Sequence, residues 1–285
     1  MVLVDFNGIS IGSVLGQLNR GEVLSANLVK HIILNNLRTY RNRFPESDWG
    51  RMIICLEGRS WRRDIFPQYK AARQTNRDKD KYDWVEIYKL ISEASADIKE
   101  NFPYAVIQVA NGEADDIIGA ITIEEMDKLG AEKIAIVSAD KDFIQLHNLG
   151  DIVQYSPMQD KMVKEPNPGR YLFDHIFKGD SSDGVPNANS PDNSFTDKIR
   201  QKPMRKTDIE HYWDNRDSFQ GGMNDDVYRN FIRNQKMIDL KFMPKDVYES
   251  SITQLDSYKY PMRGKVFNYL IENKMNMLIE CASEF

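Results

Sequence analysis

Long apolar runs are missing from this chain. No stretch approaches the roughly 20 consecutive apolar residues that a membrane-spanning helix requires. The opening MVLVDFNG lacks the basic flank and extended apolar core of a secretory leader. No membrane partner is expected, and the expected setting is a reducing cytoplasm. Cysteine is scarce as well, with two in the whole chain. Cys55 sits in the apolar run MIICL, where a buried small hydrophobe belongs. No Cys/His spacing fits a zinc site. None of His31, His147, His175 and His211 stands in the spacing of a metal pair or a catalytic triad. No G-x-G-x-x-G follows the first strand-like run, which disfavours a dinucleotide-binding enzyme. Internal repeats and low-complexity tracts are absent.

Positive charge is also in deficit. The net charge is −5, in a composition (41% apolar, 28% charged) that suits a globular protein. The deficit is uneven. Residues 59–81 (RSWRRDIFPQYKAARQTNRDKDK) carry eight Lys/Arg against three Asp, leaving the rest of the chain strongly acidic. Such a division suits a basic surface for a polyanion beside an acidic site for cations. A solvated charged face accounts for the same run equally well from charge alone.

The first half alternates strand-like and helix-like segments. VLVDF (2–6), MIICLE (52–57), YAVIQV (104–109) and KIAIVSAD (133–140) read as strands. Helical patterns cover about 22–40, 83–100 and 113–130, and DFIQLH opens another helix. This alternation predicts an α/β fold, a mostly parallel sheet with helices on both faces. Past Asp180 the run SSDGVPNANSPDNSFTD reads as a loop. Helical segments near 207–218, 225–240 and 263–283 follow it. The expected division is a domain over 1–180 and a smaller helical C-terminal domain over 181–285.

Carboxylates recur where strands hand over to loops or helices. Asp5 is near the end of the first strand, Glu57 ends the second, and Glu113, Asp115 and Asp116 follow the third. Asp140 ends the fourth, with Asp142 two residues on, and Asp180 and Asp183 lie in GDSSD. In a parallel sheet the strand C-termini share one edge, so six or more carboxylates are expected at one rim. Two such charges 4 Å apart repel by roughly 4 kcal/mol at an effective dielectric of 20. The cluster therefore calls for cations, and oxygen-only ligands favour Mg²⁺ or Mn²⁺. Two ions are a standard solution for phosphodiester cleavage. Each acid taken singly has a plainer explanation as a helix cap, a first-turn acid or a turn residue. Glu113 and Asp115 diverge on a regular helix and converge only if Glu113 still belongs to the loop.

Within the basic segment, Tyr69, Lys70 and Arg73 follow Arg62 and Arg63 by one to two turns. A helix puts Tyr69 and Arg73 on one face, as base stacking and phosphate gripping require. The alternative is a Tyr69 packed on the core beside solvated cations. VDFNG, CLEGRSWRRD, the QYKAAR run, NGEADD, SADKDF and KGDSSDGV, in this order and spacing, resemble the flap endonuclease/5′-to-3′ exonuclease family. The resemblance runs from about residue 2 to the end, including MRGKVFNYL and the final EF.

The resemblance implies two Mg²⁺ ions, with Mn²⁺ as a substitute. It assigns one to Asp5, Glu57, Asp115 and Asp140 with Glu113 nearby, and the other to Asp142 and Asp183 largely through waters. It implies a helical arch over about 59–82, where Tyr69, Lys70 and Arg73 hold the 5′ nucleotide and the scissile phosphate. Lys70 and Arg73 are then catalytic, and Arg62 and Arg63 are further nucleic-acid contacts. Asp116 and Asp180 fall behind the ligands. The implied activity is 5′-to-3′ exonuclease and flap cleavage on DNA and RNA–DNA duplexes, including removal of RNA primers in lagging-strand replication. The protein would act as a monomer in a host cell's cytoplasm if phage-encoded, with a single-strand-binding protein or sliding clamp as partner. Two departures stand out. Glu57 occupies a position where many members carry Asp, and a Gly-x-Gly-x-Lys hairpin is missing after GDSSD. KIRQKPMRK (198–206), with five cations and no acid, reads either as a substitute for that duplex grip or as a disordered basic loop. Among other classes, an aspartyl phosphatase fails because Asn7 stands where its second Asp belongs. A compact metal-carboxylate ribonuclease leaves the basic segment and C-terminal helices without a role. A structure-specific DNA-binding protein with weak or no catalysis leaves the acids unexplained.

Overall fold

The computed structural model describes residues 1–217 and 223–285. The chain enters through strand β1 (Val2–Asp5), which passes directly into helix α1 (Phe6–Leu18). Asp5 makes that abrupt handover possible, because its carboxylate accepts from the Gly8 amide at 3.1 Å and caps the helix. Gly8 leaves that carboxylate room, since a Cβ there would lie 2.5 Å from it. Helix α2 (Ala26–Arg43), capped by Ser25, and the short α3 (Glu46–Trp49) lead to β2 (Met52–Cys55).

The basic segment follows as two short helices, α4 (Arg62–Ile65) and α5 (Ala71–Arg77). Then come α6 (Trp84–Asn101), β3 (Ala105–Ile107), α7 (Ala114–Met126) and β4 (Ile134–Val137). The helix expected at DFIQLH is a 3₁₀ helix over Lys141–Asn148. Two strands lie outside the predicted set, β5 (Ile152–Ser156) and the short β6 (Lys161–Val163), as does helix α8 (Pro168–Lys178).

The sheet order is β3-β2-β1-β4-β5-β6, parallel throughout except for the antiparallel edge strand β6. In register, Asp5 stands opposite Cys55, and Val4 opposite Val137. Strand ends carrying the acids therefore meet at one rim. Alternation along β1 sends Val2 and Val4 into one core and Leu3 into the other. The first core packs β1, β2 and β4 against α1, α2 and α6, and the second packs the opposite face against α7.

Beyond residue 180 the chain turns irregularly before α9 (Lys206–Asp214) and α10 (Asp225–Ile238). The helix expected near 207–218 thus ends at Asp214, and residue 218 lies outside the described residues. The chain then forms α11 (Lys245–Asp256), α12 (Gly264–Glu272) and α13 (Asn276–Ile279). The single helix expected over 263–283 is broken at Lys274, whose φ is 55°. These last helices return to the sheet: Tyr269, Leu270 and Phe285 join the first core, and Val247 joins the second. A third cluster links Phe66 and Tyr69 of the basic segment to Phe177, Ile209 and Phe231. Among the described residues no helix is long and apolar enough to cross a membrane.

Candidate metal and nucleic-acid site

At the strand-end rim lies a cavity of about 750 Å³, and every carboxylate anticipated from the strand handovers except the buried Asp116 lines it. Asp5, Glu57, Glu113, Asp115, Asp140, Asp142, Asp180 and Asp183 thus face one space, with Lys70 and Arg73 on its wall. Glu113 and Asp115 converge because Glu113 is extended (φ −82°, ψ 165°) and precedes the helix as its cap. The site is braced from beneath. Ser138 Oγ donates to Asp5 at 2.8 Å and accepts from the Asp140 amide at 3.0 Å, tying the ends of β1 and β4 together. Asp140 in turn accepts from the Asp142 amide at 2.9 Å, and Glu57 accepts from the Ala114 amide at 3.1 Å. Gln154, fully buried in β5, donates to the Ser138 carbonyl and steadies the same turn. Ser138 and Gln154 carry no signal in sequence, because their partners lie on other strands.

Electrostatically, the rim is overloaded with negative charge. Burial, then the neighbouring charges of Asp140, Asp5 and Glu57, pushes the Asp115 carboxyl well above the usual range. Asp142 is displaced the same way by burial and by Asp140, Asp180 and Asp183. Burial also raises Asp5, with the hydrogen bonds from Ser138 and Gly8 working against it. Glu57 is pushed up to about 7 by burial and the Glu113 charge, with Lys70 opposing. Groups so displaced bind protons or cations in preference to standing bare. The oxygen-donor set of Asp5, Glu57, Asp115 and Asp140 fits a hard divalent ion.

Glu113 is the exception. Its carboxylate accepts from Ser60 Oγ at 2.7 Å, Arg62 at 2.9 Å and Tyr69 Oη at 3.0 Å, and is paired with Lys70. Burial works against its charge, but Lys70 and Arg62 outweigh that and hold the carboxyl down at about 2. Its oxygens are engaged by these donors, so here Glu113 anchors the basic segment.

The expected phosphate contact by Arg62 is corrected. Arg62 is 2% exposed, and its guanidinium is consumed by Glu113, by Asp116 at 2.9 and 3.0 Å, and by the Met237 carbonyl at 2.8 Å. Asp116, fully buried, also accepts from Trp61 Nε1 at 3.1 Å. The expected stacking platform is corrected too. Tyr69 is 4% exposed, its ring packs in the third core and its hydroxyl is committed to Glu113. Arg63 is exposed on the cavity rim, as a nucleic-acid contact requires.

Lys70 adopts a positive φ of 55°, and its amide donates to the Asp183 carbonyl at 2.7 Å. The turn behind it closes through Gly184 (φ 75°), where a Cβ would lie 2.9 Å from the Gln68 carbonyl. Lys70 Nζ thereby reaches Asp183 at 3.5 Å as well as Glu113, and Arg73 pairs with Asp183. His175, set aside on spacing, comes to Asp142 at 3.3 Å and to Asp180 at 3.9 Å. These three residues offer ligand atoms within 4.8 Å of one another. Nothing local in the sequence announces this, since Asp142 is remote from α8. In KIRQKPMRK, all five cations are exposed, and the segment is held by hydrogen bonds from Asn187 to Gln201 and the Lys202 carbonyl.

Residues 20–168 match the 5′-3′ exonuclease N-terminal resolvase-like domain, and residues 170–285 match the C-terminal part of T4 RNase H. The chain is 26% identical over 291 residues to the ribonuclease H of Enterobacteria phage T4, covering 99% of this chain and 95% of that protein. Its fold is similar to the bacteriophage T5 flap endonuclease crystallised with DNA and metal ions (TM-score 0.61, 13% identity, 90% of this chain and 97% of that one). It is also similar to the T5 5′-exonuclease with zinc ions bound (TM-score 0.58, 12% identity, 90% and 98% covered).

Proposed function

Because this chain belongs to the 5′-3′ exonuclease family, a nuclease that hydrolyses phosphodiester bonds, we propose that it is a Mg²⁺-dependent 5′-to-3′ exonuclease and flap endonuclease acting on DNA and RNA–DNA duplexes, with removal of RNA primers as its replication role. One observation carries this reading: acids from four strand ends and the GDSSD turn line a single cavity whose wall bears Lys70 and Arg73.

Asp5, Glu57, Asp115 and Asp140 would hold one ion, and Asp142 and Asp183 a second. When bound, Mg²⁺, or Mn²⁺ in its place, lowers the pKa of water and screens phosphate charge. Lys70 and Arg73 act as catalytic residues by gripping the scissile phosphate, exchanging their present partners Glu113 and Asp183 for it. Arg63 and the exposed cations of 198–206 guide the duplex backbone, and the helices of 181–285 form the rest of its platform. Binding should therefore weaken steeply with salt.

The test uses end-labelled nicked, flapped and RNA-primed duplexes, each with Mg²⁺ or EDTA. Cleavage from the 5′ side in Mg²⁺ alone supports the reading. Asp140→Asn should abolish cleavage and leave duplex affinity near that of the wild type, since it removes a ligand and no phosphate contact. Wild-type rates in that variant would remove Asp140 from the site.

A further inference from the structure

We propose that His175 is a nitrogen ligand of the second cation position, joining Asp142 and Asp183 with Asp180 as a further oxygen donor, and that this position accordingly prefers Mn²⁺ or another transition ion to Mg²⁺. The inference rests on the two-cation reading given above and adds to it a ligand that the strand handovers do not supply.

The geometry is built, not incidental. His175 lies in the last turn of α8, and the Gly179 amide closes that helix by donating to the His175 carbonyl at 2.8 Å. Gly179 then reverses the chain at φ 68°, a turn no side chain tolerates because a Cβ would lie 2.4 Å from the Val185 carbonyl. The reversal brings Asp180 back beside the ring. One oxygen of Asp180 is taken by the Ser182 amide and hydroxyl, both at 2.7 Å, and by the Asp183 amide at 3.3 Å. Its other oxygen is the one that faces His175. Tyr171, one turn earlier, meets the imidazole edge to face at 6.0 Å. Asp142 arrives from the 3₁₀ helix that β4 feeds, with one oxygen 3.3 Å from the ring.

The cluster is also accessible. His175, Asp142 and Asp180 line a groove of about 920 Å³ that shares Asp5 and Asp140 with the site cavity. An ion can therefore reach it from the side of the substrate. Imidazole is a borderline donor that Mg²⁺ uses poorly, whereas affinity for N/O sites rises from Mn²⁺ along the first transition row. One nitrogen among carboxylates shifts the preference without excluding Mg²⁺. The competing role is a charge partner only, a ring that bridges two carboxylates through its protons and never meets an ion.

Full-length protein labelled with ¹⁵N-histidine separates the two. On adding Zn²⁺, a diamagnetic probe, one His175 ring nitrogen should shift strongly, as coordination requires. In calorimetric titrations, His175→Gln should lower Mn²⁺ affinity at the second position about tenfold or more and leave Mg²⁺ affinity nearly unchanged. A His175 resonance that saturating Zn²⁺ does not move, or equal Mn²⁺ affinity in the variant, overturns the proposal. If His175→Gln does not fold, the wild-type spectrum carries the test, with His31, His147 and His211 assigned through their own substitutions. Asp142→Asn is the control. Loss of the second ion there, with retention in His175→Gln, keeps the two-cation reading and reduces His175 to a charge partner. Two ions bound with unchanged affinity in Asp142→Asn overturn that reading, and the proposal with it.

Discussion

Arg62 shows how a residue can serve a site it never touches. Its guanidinium lies beneath the cavity and neutralises two carboxylates that are 4% and 0% exposed, Glu113 and Asp116. Removing one partner of a buried pair leaves the other charge uncompensated, which typically costs about 3–5 kcal/mol. Arg62→Ala should therefore lower the thermal midpoint by at least several degrees, at about 2–4 °C per kcal/mol for a chain near this size. Arg62→Lys should rescue it poorly, since an ammonium cannot match the fork that meets Glu113, Asp116 and a carbonyl together. Calorimetry on both variants checks this. A midpoint equal to wild type, with only duplex affinity reduced, would put Arg62 back among the phosphate contacts. Lys70 stands one step nearer the chemistry, because the Glu113 that Arg62 fixes is the acid that Lys70 grips.

At the scale of elements, the decisive feature is the handover from β1 to α1, where no loop separates strand from helix. Gly8→Ala tests it, and two effects compete. Alanine gains about 1 kcal/mol of helix propensity over glycine, while crowding the Asp5 carboxylate costs about 1–3 kcal/mol. Net stability should fall modestly, whereas cleavage should fall by a larger factor, because the crowded group is a proposed ligand held by Ser138 and its own cap. Single-turnover rates beside denaturation curves check the split, and full activity would mean that Asp5 is free to move without consequence. The same junctions explain what the sequence discloses. Strands β1 to β4 are short apolar runs with acids in or just after them, so both the parallel sheet and its acidic rim could be read directly. Helix α1 is not legible because Gly8, Gly12 and Gly16 dilute its pattern. The β5–β6 hairpin hid behind a polar edge strand, and α8 behind the Asn-Pro-Gly that starts it. Arg62 and Tyr69 look like a basic, aromatic surface until the fold supplies partners more than forty residues away. His175 has no local spacing to mark it as a ligand, and it meets Asp142 only through tertiary structure.

For the molecule as a whole, the rim sets how stability responds to pH and to cations. Asp5, Glu57, Asp115 and Asp142 all have carboxyls raised by folding, Glu57 from 4.5 to about 7. A carboxyl raised in the folded state binds more protons there than in the unfolded chain, so stability falls as pH rises between the two values. Glu113 acts in the opposite sense, but its lowered carboxyl titrates at about 2, and its contribution is lost only as pH falls below 4.5 toward that value. In EDTA, therefore, the rim's contribution to stability should decline as pH rises from about 4.5 to about 7, the span of Glu57, while His147 and His175, whose imidazoles burial lowers, oppose it below 6.5. Divalent ions bind the ionised rim and should reverse the trend. At a hundredfold excess over the dissociation constant, one bound ion contributes about 2.7 kcal/mol, and the pH slope should flatten because cations replace the protons. Urea denaturation at several pH values, with EDTA and with Mg²⁺, measures both effects in one series. Identical curves in the two conditions would mean that these carboxylates neither strain the fold nor hold an ion. Mg²⁺ stabilisation that disappears in Asp140→Asn would tie the whole-molecule response to the same rim that the strand ends build.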